Sequence, residues 1–243
     1  MPVNVTCKWI DVPGWTEAPG YGLPDDVDVW HIPISSQIQH LDTYRSLLSP
    51  DEQQRADRYH HQNDRERFTV SRGALRILLS RYLDLSTTAI EFGIGPNKKP
   101  FINQNLNLHY NTAHSGDHIL IAVANTPVGV DIEQMLLDFP YTDLLEHSFS
   151  THEIACIKNA ERPLDTFYAF WTRKEALLKA TAKGIDDDMP QIPCTDGDHT
   201  ITEELIGPVQ NWVINTFNYT ENCVCSVAAE SQAISFRKFT FSQ

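Results

Sequence analysis

The sequence predicts an α+β protein made of two similar α/β halves related by a pseudo-twofold. Two serine-led helix starts, Ser49-Pro50-Asp51-Glu52 and Ser150-Thr151-His152-Glu153, stand 101 residues apart. The same shift lays Arg72 on Arg173. In each copy a short helical segment precedes a long one, with β-type runs on either side, so the order of elements itself repeats. A cleft is expected where the halves meet.

The elements follow in order. The opening, to about Asp26, is rich in Pro and Gly and reads as extended, irregular chain. Val27 to Ile34 carries β-type residues in alternation and predicts a strand. At Ser49 the serine can cap, Pro50 suits the first helical position, and Glu52 completes a capping box. A long helix is predicted from Asp64 to about Leu83, because Phe68, Leu75, Leu78, Leu79 and Tyr82 have helical spacing. Ile90 to Ile94 reads as a short strand and Gly95 to Pro100 as a loop. Leu106 to Thr112 alternates and Ile119 to Ala124 is strongly β. Asn125-Thr126-Pro127 is a turn leading into a strand from Val128 to Glu133, which predicts an antiparallel hairpin. Ser150 opens the second capping box. Its helix is followed by Pro163 and a long helix from about Leu164 to Ala182. Trp212 to Phe217, Cys223 to Ala229 and Ile234 to Phe241 read as strands of a further sheet.

With 243 residues the chain can bury one large core or two modest ones. The five cysteines, Cys7, Cys156, Cys194, Cys223 and Cys225, are odd in number and fit no disulfide or zinc spacing. They read as reduced thiols of a cytoplasmic protein. The first residues lack a basic and then apolar leader, and no apolar run reaches a membrane span, so neither secretion nor a membrane is expected. A net charge of −13 argues against nucleic acid. The arginines nevertheless crowd between Arg55 and Arg81, where a local anion can bind; for any one of them a solvated helix face is the simpler reading.

Chemistry concentrates in a few segments. Gly129-Val130-Asp131-Ile132-Glu133 puts two carboxylates at i and i+2 on a strand, hence on one face, with Val130 and Ile132 on the other. Such a pair is half of a site for a hard divalent cation; alone, it reads more simply as an exposed edge. Trp171, Glu175 and Lys179 follow at four-residue intervals on the second long helix, as a surface Glu–Lys pair or as a third acid beside a cation. His114 and Ser115, at a strand end, can face a phosphate. No G-x-S-x-G, P-loop or H-E-x-x-H pattern is present.

Lys99-Pro100, His114-Ser115-Gly116, Gly129-Val130-Asp131-Ile132-Glu133 and Trp171-Thr172-Arg173-Lys174-Glu175-Ala176-Leu177-Leu178-Lys179, in that order and spacing, resemble the 4′-phosphopantetheinyl transferase superfamily. The resemblance runs from about Ser49 to Ile185. It is to the pseudodimeric, surfactin-synthetase-activating type and not to the half-length, trimeric holo-acyl-carrier-protein synthases. It implies the fold of that family and the transfer of phosphopantetheine from coenzyme A to a serine of an apo carrier protein: acyl, polyketide or peptidyl. By position, Asp131, Glu133 and Glu175 would hold Mg²⁺, or Mn²⁺, with the coenzyme A pyrophosphate. Glu175 would take the serine proton, and Lys179 would stabilise the departing adenosine 3′,5′-bisphosphate. His114 and Arg55 would meet the 3′-phosphate, helped by Arg67, with Ser115 beside them. Lys99 and Pro100 would border the adenine. Residues 1–115 would form the coenzyme side and residues 116–243 the half with the acids, within a monomer. Glu52 departs from relatives that carry a basic residue there, which reduces the expected phosphate clamp. A metal-dependent phosphodiesterase using the same acids, or a coenzyme A- or carrier-binding module without turnover, are the alternative readings. Phosphopantetheinylation of an apo carrier separates the three.

Overall fold

The computed structural model describes residues 1–12, 14–17, 21, 26–103, 107–183, 188–207, 211–230 and 234–239. Its first half runs β1 (Pro2–Trp9), β2 (Thr16–Glu17), β3 (Val27–Pro33), α1 (Leu41–Leu47), α2 (Pro50–Asp57), α3 (Gln62–Leu83), β4 (Phe92–Ile94), β5 (Pro100–Ile102), β6 (His109–Ser115) and β7 (His118–Ala124). The chain continues through β8 (Val128–Gln134), α4 (Leu145–Ser148), α5 (Thr151–Asn159), α6 (Pro163–Thr181), β9 (Gly197–Thr202), α7 (Glu203–Ile206), β10 (Asn211–Thr220), β11 (Cys223–Ala229) and β12 (Ile234–Lys238).

The strands form one sheet in the order β2-β12-β3-β7-β6 and another in the order β8-β11-β10-β1-β9, with β4 and β5 paired apart. Alternation along the strands gives each sheet two apolar faces. Val27, Val29, Leu120 and Ala122 of the first meet Val130, Ile132, Cys225 and Val227 of the second in a shared buried core. The opposite face of the first sheet buries Trp30, Ile32, Ile119 and Ile121 against Val70, Ala74, Leu75 and Leu78 of α3. That of the second buries Val3, Val5, Trp212 and Ile214 against Ala176, Leu177 and Ala180 of α6. The result is four layers, helix, sheet, sheet and helix. Each fully buried aliphatic side chain contributes roughly 1.5–3 kcal/mol to holding them together.

The duplication is present at the predicted interval. A shift of 101 residues carries β3 onto β8, α2 onto the start of α5 and α3 onto α6. Both capping boxes form: Ser49 N donates to Glu52 Oε2 at 2.9 Å and Ser150 N to Glu153 Oε2 at 2.8 Å, with each serine hydroxyl accepting in return. The following long helix clamps each box glutamate with cations, Arg72 and Arg76 on Glu52 and Lys174 on Glu153.

Several expectations are corrected. The opening begins with an eight-residue strand, because Val3, Val5 and Cys7 alternate onto the second core. The strands of residues 118–124 and 128–134 do not form a hairpin. β7 instead pairs back with β6 through the turn at Gly116 and Asp117, and β8 crosses to pair with β11 in the other sheet. The turn at 125–127 is thus the crossover. Pro100 is the first residue of β5 rather than loop. The terminal strands are exchanged: β1 lies parallel to β10 and β12 parallel to β3, so each end of the chain completes the other half's sheet. Cys223 and Cys225, two apart on β11, share the inter-sheet face. All five cysteines are free thiols. Leu106, Ile185 and Phe241 lie outside the described residues. Among the described residues no helix is long and apolar enough to cross a membrane.

Candidate active site

Strand β8 sends Val128, Val130 and Ile132 into the shared core, which turns Gly129, Asp131 and Glu133 towards α6. The strand and helix approach closely at Gly129. A Cβ there would lie 2.0 Å from the Ala176 carbonyl oxygen and 2.5 Å from Ala180 N, so no other residue fits. That contact brings the carboxylates of β8 under Glu175 and Lys179, which share a face of α6.

Lys179 pairs across the gap and not along its helix: its Nζ stands 2.6 Å from Asp131 Oδ1. Asp131 is 4% exposed and Glu175 8%. Asp131 Oδ2 and Glu175 Oε1 are buried without a hydrogen-bond partner among the described residues, although buried carboxylate oxygens are ordinarily satisfied. Ser115 Oγ donates to Glu133 Oε2 at 3.0 Å and accepts from Gln134 N, tying the end of β6 to the end of β8. Burial, reinforced by the Asp131 charge, raises Glu133 to about 7 and Glu175 to about 6. Burial also raises Asp131 against the pull of Lys179. For Lys179, burial acts downwards, but the charges of Asp131, Glu175 and Glu133 outweigh it and hold the ammonium charged. Among the described residues no three His, Cys, Asp or Glu side chains are gathered closely enough to cage a metal ion.

Two hollows flank this centre. A cleft of about 1020 Å³ is walled by α2, α3 and the β4–β5 ribbon, with Arg55, Arg67, Lys98, Pro100 and His114 on its lining. Arg55 lies over the Phe68 ring, and Arg67 pairs with Asp64 at 2.8 Å. Arg72 and Arg76 also line the cleft, but Glu52 engages both, so the charge of that trio is mostly internal. Partial desolvation, then the Arg67 charge, lowers His114 below its ordinary value; Lys179 acts in the same direction. The second hollow, about 260 Å³, is lined by Ser115 and Glu133 and by the apolar walls of Leu136, Phe139, Phe167 and Trp171. His114 and Ser115 are consecutive on β6 and therefore point to opposite sides, one into each hollow.

The expected residues thus fall into two groups. Asp131, Glu133, Glu175, Lys179 and Ser115 are brought together around the junction of β8 and α6. Arg55, Arg67, Pro100 and His114 line the adjoining cleft. Lys99 is turned away from both: its Nζ donates to Ala180 O at 2.8 Å and Val128 O at 3.3 Å. Asn97, which sequence reasoning passed over, donates to Ala182 O and Lys183 O at 2.7 and 3.0 Å. The only signal for Asn97 is its place in a Gly/Pro-bounded loop.

The chain is similar to two family models. That of the 4′-phosphopantetheinyl transferase superfamily matches residues 127–228, and that of the N-terminal part of 4′-phosphopantetheinyl transferases matches residues 31–126. A Synechocystis sp. protein, slr0495, whose name assigns it provisionally to these transferases, is 36% identical over 68% of this chain and 68% of its own. The 4′-phosphopantetheinyl transferase HetI of Nostoc sp. is 32% identical over 67% of this chain and 71% of its own. The Bacillus subtilis 4′-phosphopantetheinyl transferase Sfp is 28% identical over 58% and 63%, respectively.

Proposed function

The chain belongs to the 4′-phosphopantetheinyl transferase superfamily, and on that premise we propose how its own residues carry the reaction. The reaction is the transfer of the phosphopantetheine arm of coenzyme A to a carrier protein. The observation that supports the site assignment best is the meeting of Asp131, Glu133 and Glu175 beside Lys179, with a cleft lined by Arg55, Arg67 and His114 on one side. Coenzyme A then lies with its 3′-phosphate near His114 and Arg55, assisted by Arg67, and with the adenine along Pro100 and Lys98. Its pyrophosphate reaches the acids.

The three carboxylates are hard oxygen donors, and the two unpartnered buried oxygens fit a divalent cation. Mg²⁺ ordinarily takes a few carboxylates and leaves its remaining positions to substrate phosphates and water. Asp131, Glu133 and Glu175 are therefore the residues that would hold Mg²⁺, or Mn²⁺. A cation bound there would neutralise the pyrophosphate and stabilise charge on the departing phosphate.

The carrier serine Oγ attacks the β-phosphorus, and the bond from that phosphorus to the bridging oxygen breaks, releasing adenosine 3′,5′-bisphosphate. Glu175, raised only to about 6, is ionised at neutral pH and takes the serine proton directly or through water. Lys179 meets the charge that grows on the leaving phosphate. Ser115 holds the Glu133 carboxylate in place. Leu136, 52% exposed on the lining of the small hollow, offers an apolar contact to an arriving carrier. The proposed division into a coenzyme side, residues 1–115, and an acid-bearing half, residues 116–243, makes the chain a monomer that supplies both sides of its cleft; the pairing of β6 with β7 supports drawing that division after β7, at residues 125–127. The test is the mass of an apo carrier after incubation with coenzyme A, Mg²⁺ and the chain. A gain of one phosphopantetheine per modified serine supports the reading, and an unchanged mass contradicts it.

A further inference from the structure

The loop between β4 and β5 sorts its side chains in two directions. Lys98 and Pro100 line the large cleft, whereas Asn97 and Lys99 reach the other half of the protein. Helix α6 ends at Thr181 and turns into left-handed Ala182, with φ of 58°, where a glycine is the usual residue. The last carbonyls of a helix need external donors. Here they come from a distant segment: Lys99 Nζ serves Ala180 O, and the Asn97 amide serves Ala182 O and Lys183 O. The same ammonium donates to Val128 O, the first carbonyl of β8. Lys99 makes no ion pair among the described residues, and its charge sits at the negative end of the α6 dipole. Burial lowers it to about 8, as expected for an ammonium held by carbonyls alone. Asn97 and Lys98 both take left-handed backbone, with φ of 51° and 62°, so the loop is held in an unusual shape that aims these side chains.

Lys99 therefore bonds to the strand and the helix immediately beside Gly129, where the two touch. Three residues along β8 from Val128 lies Asp131, and one residue before Ala180 lies Lys179. We propose that Lys99 and Asn97 are positioning residues of the transfer: they fix the C-terminal end of α6 against the start of β8 and so set Lys179 and Glu175 over the strand acids. The inference rests on the reaction assigned above, and it replaces an adenine contact as the role of the Lys99 side chain.

The experiment compares the full chain with Lys99→Met, Lys99→Arg and Asn97→Gly, the last removing the amide without adding left-handed strain. Steady-state transfer to one apo carrier is measured with coenzyme A varied, alongside backbone amide exchange. Lys99→Met is expected to lower kcat tenfold or more, since small misplacements of catalytic groups are costly, with KM for coenzyme A changed less than about threefold. Asn97→Gly should shift the same way, and Lys99→Arg should recover most of kcat. Amide exchange at residues 176–183 and 128–131 should quicken in Lys99→Met and Asn97→Gly. A raised KM for coenzyme A with kcat kept would return Lys99 to the cleft and overturn the proposal. So would unchanged exchange in both variants, or a lower melting temperature with kcat and KM intact. If Lys99→Met does not fold, Asn97→Gly decides by the same readouts. An inactive wild type would count against the assigned reaction alone, and the exchange data would still judge the clamp.

Discussion

Lys179 Nζ lies 2.6 Å from Asp131 Oδ1, while Asp131 Oδ2 is buried with no hydrogen-bond partner among the described residues. One oxygen of this carboxylate is thus held by the lysine proposed to meet the leaving phosphate, and the other has no hydrogen-bond partner among the described residues. An ordinary surface Glu–Lys pair on α6 would place Lys179 against Glu175 and contribute only a few tenths of a kcal/mol.

Lys179→Ala should lower kcat by roughly 10²–10³, the usual effect of deleting one preorganised electrostatic group, while divalent-cation affinity is largely kept. Steady-state kinetics and metal titration of the folded variant check both parts. A variant that turns over like the wild type would make the Asp131 pair structural.

Asp131→Ala should abolish transfer and leave the fold intact. EDTA should stop the wild type, with Mg²⁺ or Mn²⁺ restoring it. Near-normal transfer by folded Asp131→Ala at ordinary Mg²⁺ would remove the metal assignment.

The raised value of Glu133 gives a pH dependence of defined sign. Its folded value is about 7 against an ordinary 4.5, with burial the main cause and the Asp131 charge second. Between those values the folded state binds more protons than the unfolded state. The contribution is fully present below about 4.5 and is lost as pH rises through about 7. Melting curves without divalent cations should therefore show Glu133 destabilising the protein from pH 5 to 8, and Glu133→Gln should flatten that decline. A decline equally steep in Glu133→Gln would contradict the shift.

Dephospho-coenzyme A should bind more weakly than coenzyme A by about 1.5–3 kcal/mol, the worth of one charge-assisted contact from His114 or Arg55 to the 3′-phosphate. Equal affinities by calorimetry would show that Glu52, by engaging Arg72 and Arg76, leaves no such clamp.

The sequence made the acids legible because their chemistry is local: a period-two pair on a strand and a period-four pair on a helix. The duplication was legible for the same reason, since a capping box is a four-residue signal. It also shows why the fold carries one such constellation. The shift of 101 residues takes Asp131, Glu133, Glu175 and Lys179 onto Trp30, Ile32, Ala74 and Leu78, all buried in the first core. What stayed hidden depends on long-range pairing. The exchange of β1 and β12 joins residues more than 200 apart, as in Asn4 with Asn211 and Lys238 with His31. The separation of β7 from β8 was hidden because a short polar turn looks alike whether it closes a hairpin or links two sheets. Lys99 and Asn97 act on carbonyls more than 80 positions away, which no local pattern encodes.

Glu175, with Asp131 and Glu133 beside it, is proposed as the centre of the transfer. The most direct measurement is the mass of one apo carrier over time with coenzyme A and Mg²⁺, using wild type and Glu175→Gln matched in melting temperature. Glu175→Gln keeps size and polarity but removes the charge proposed to bind metal and accept the proton. The wild type is expected to add one phosphopantetheine per carrier serine, and Glu175→Gln to leave the carrier unmodified at every pH tested. Modification by Glu175→Gln at the wild-type rate would contradict that assignment.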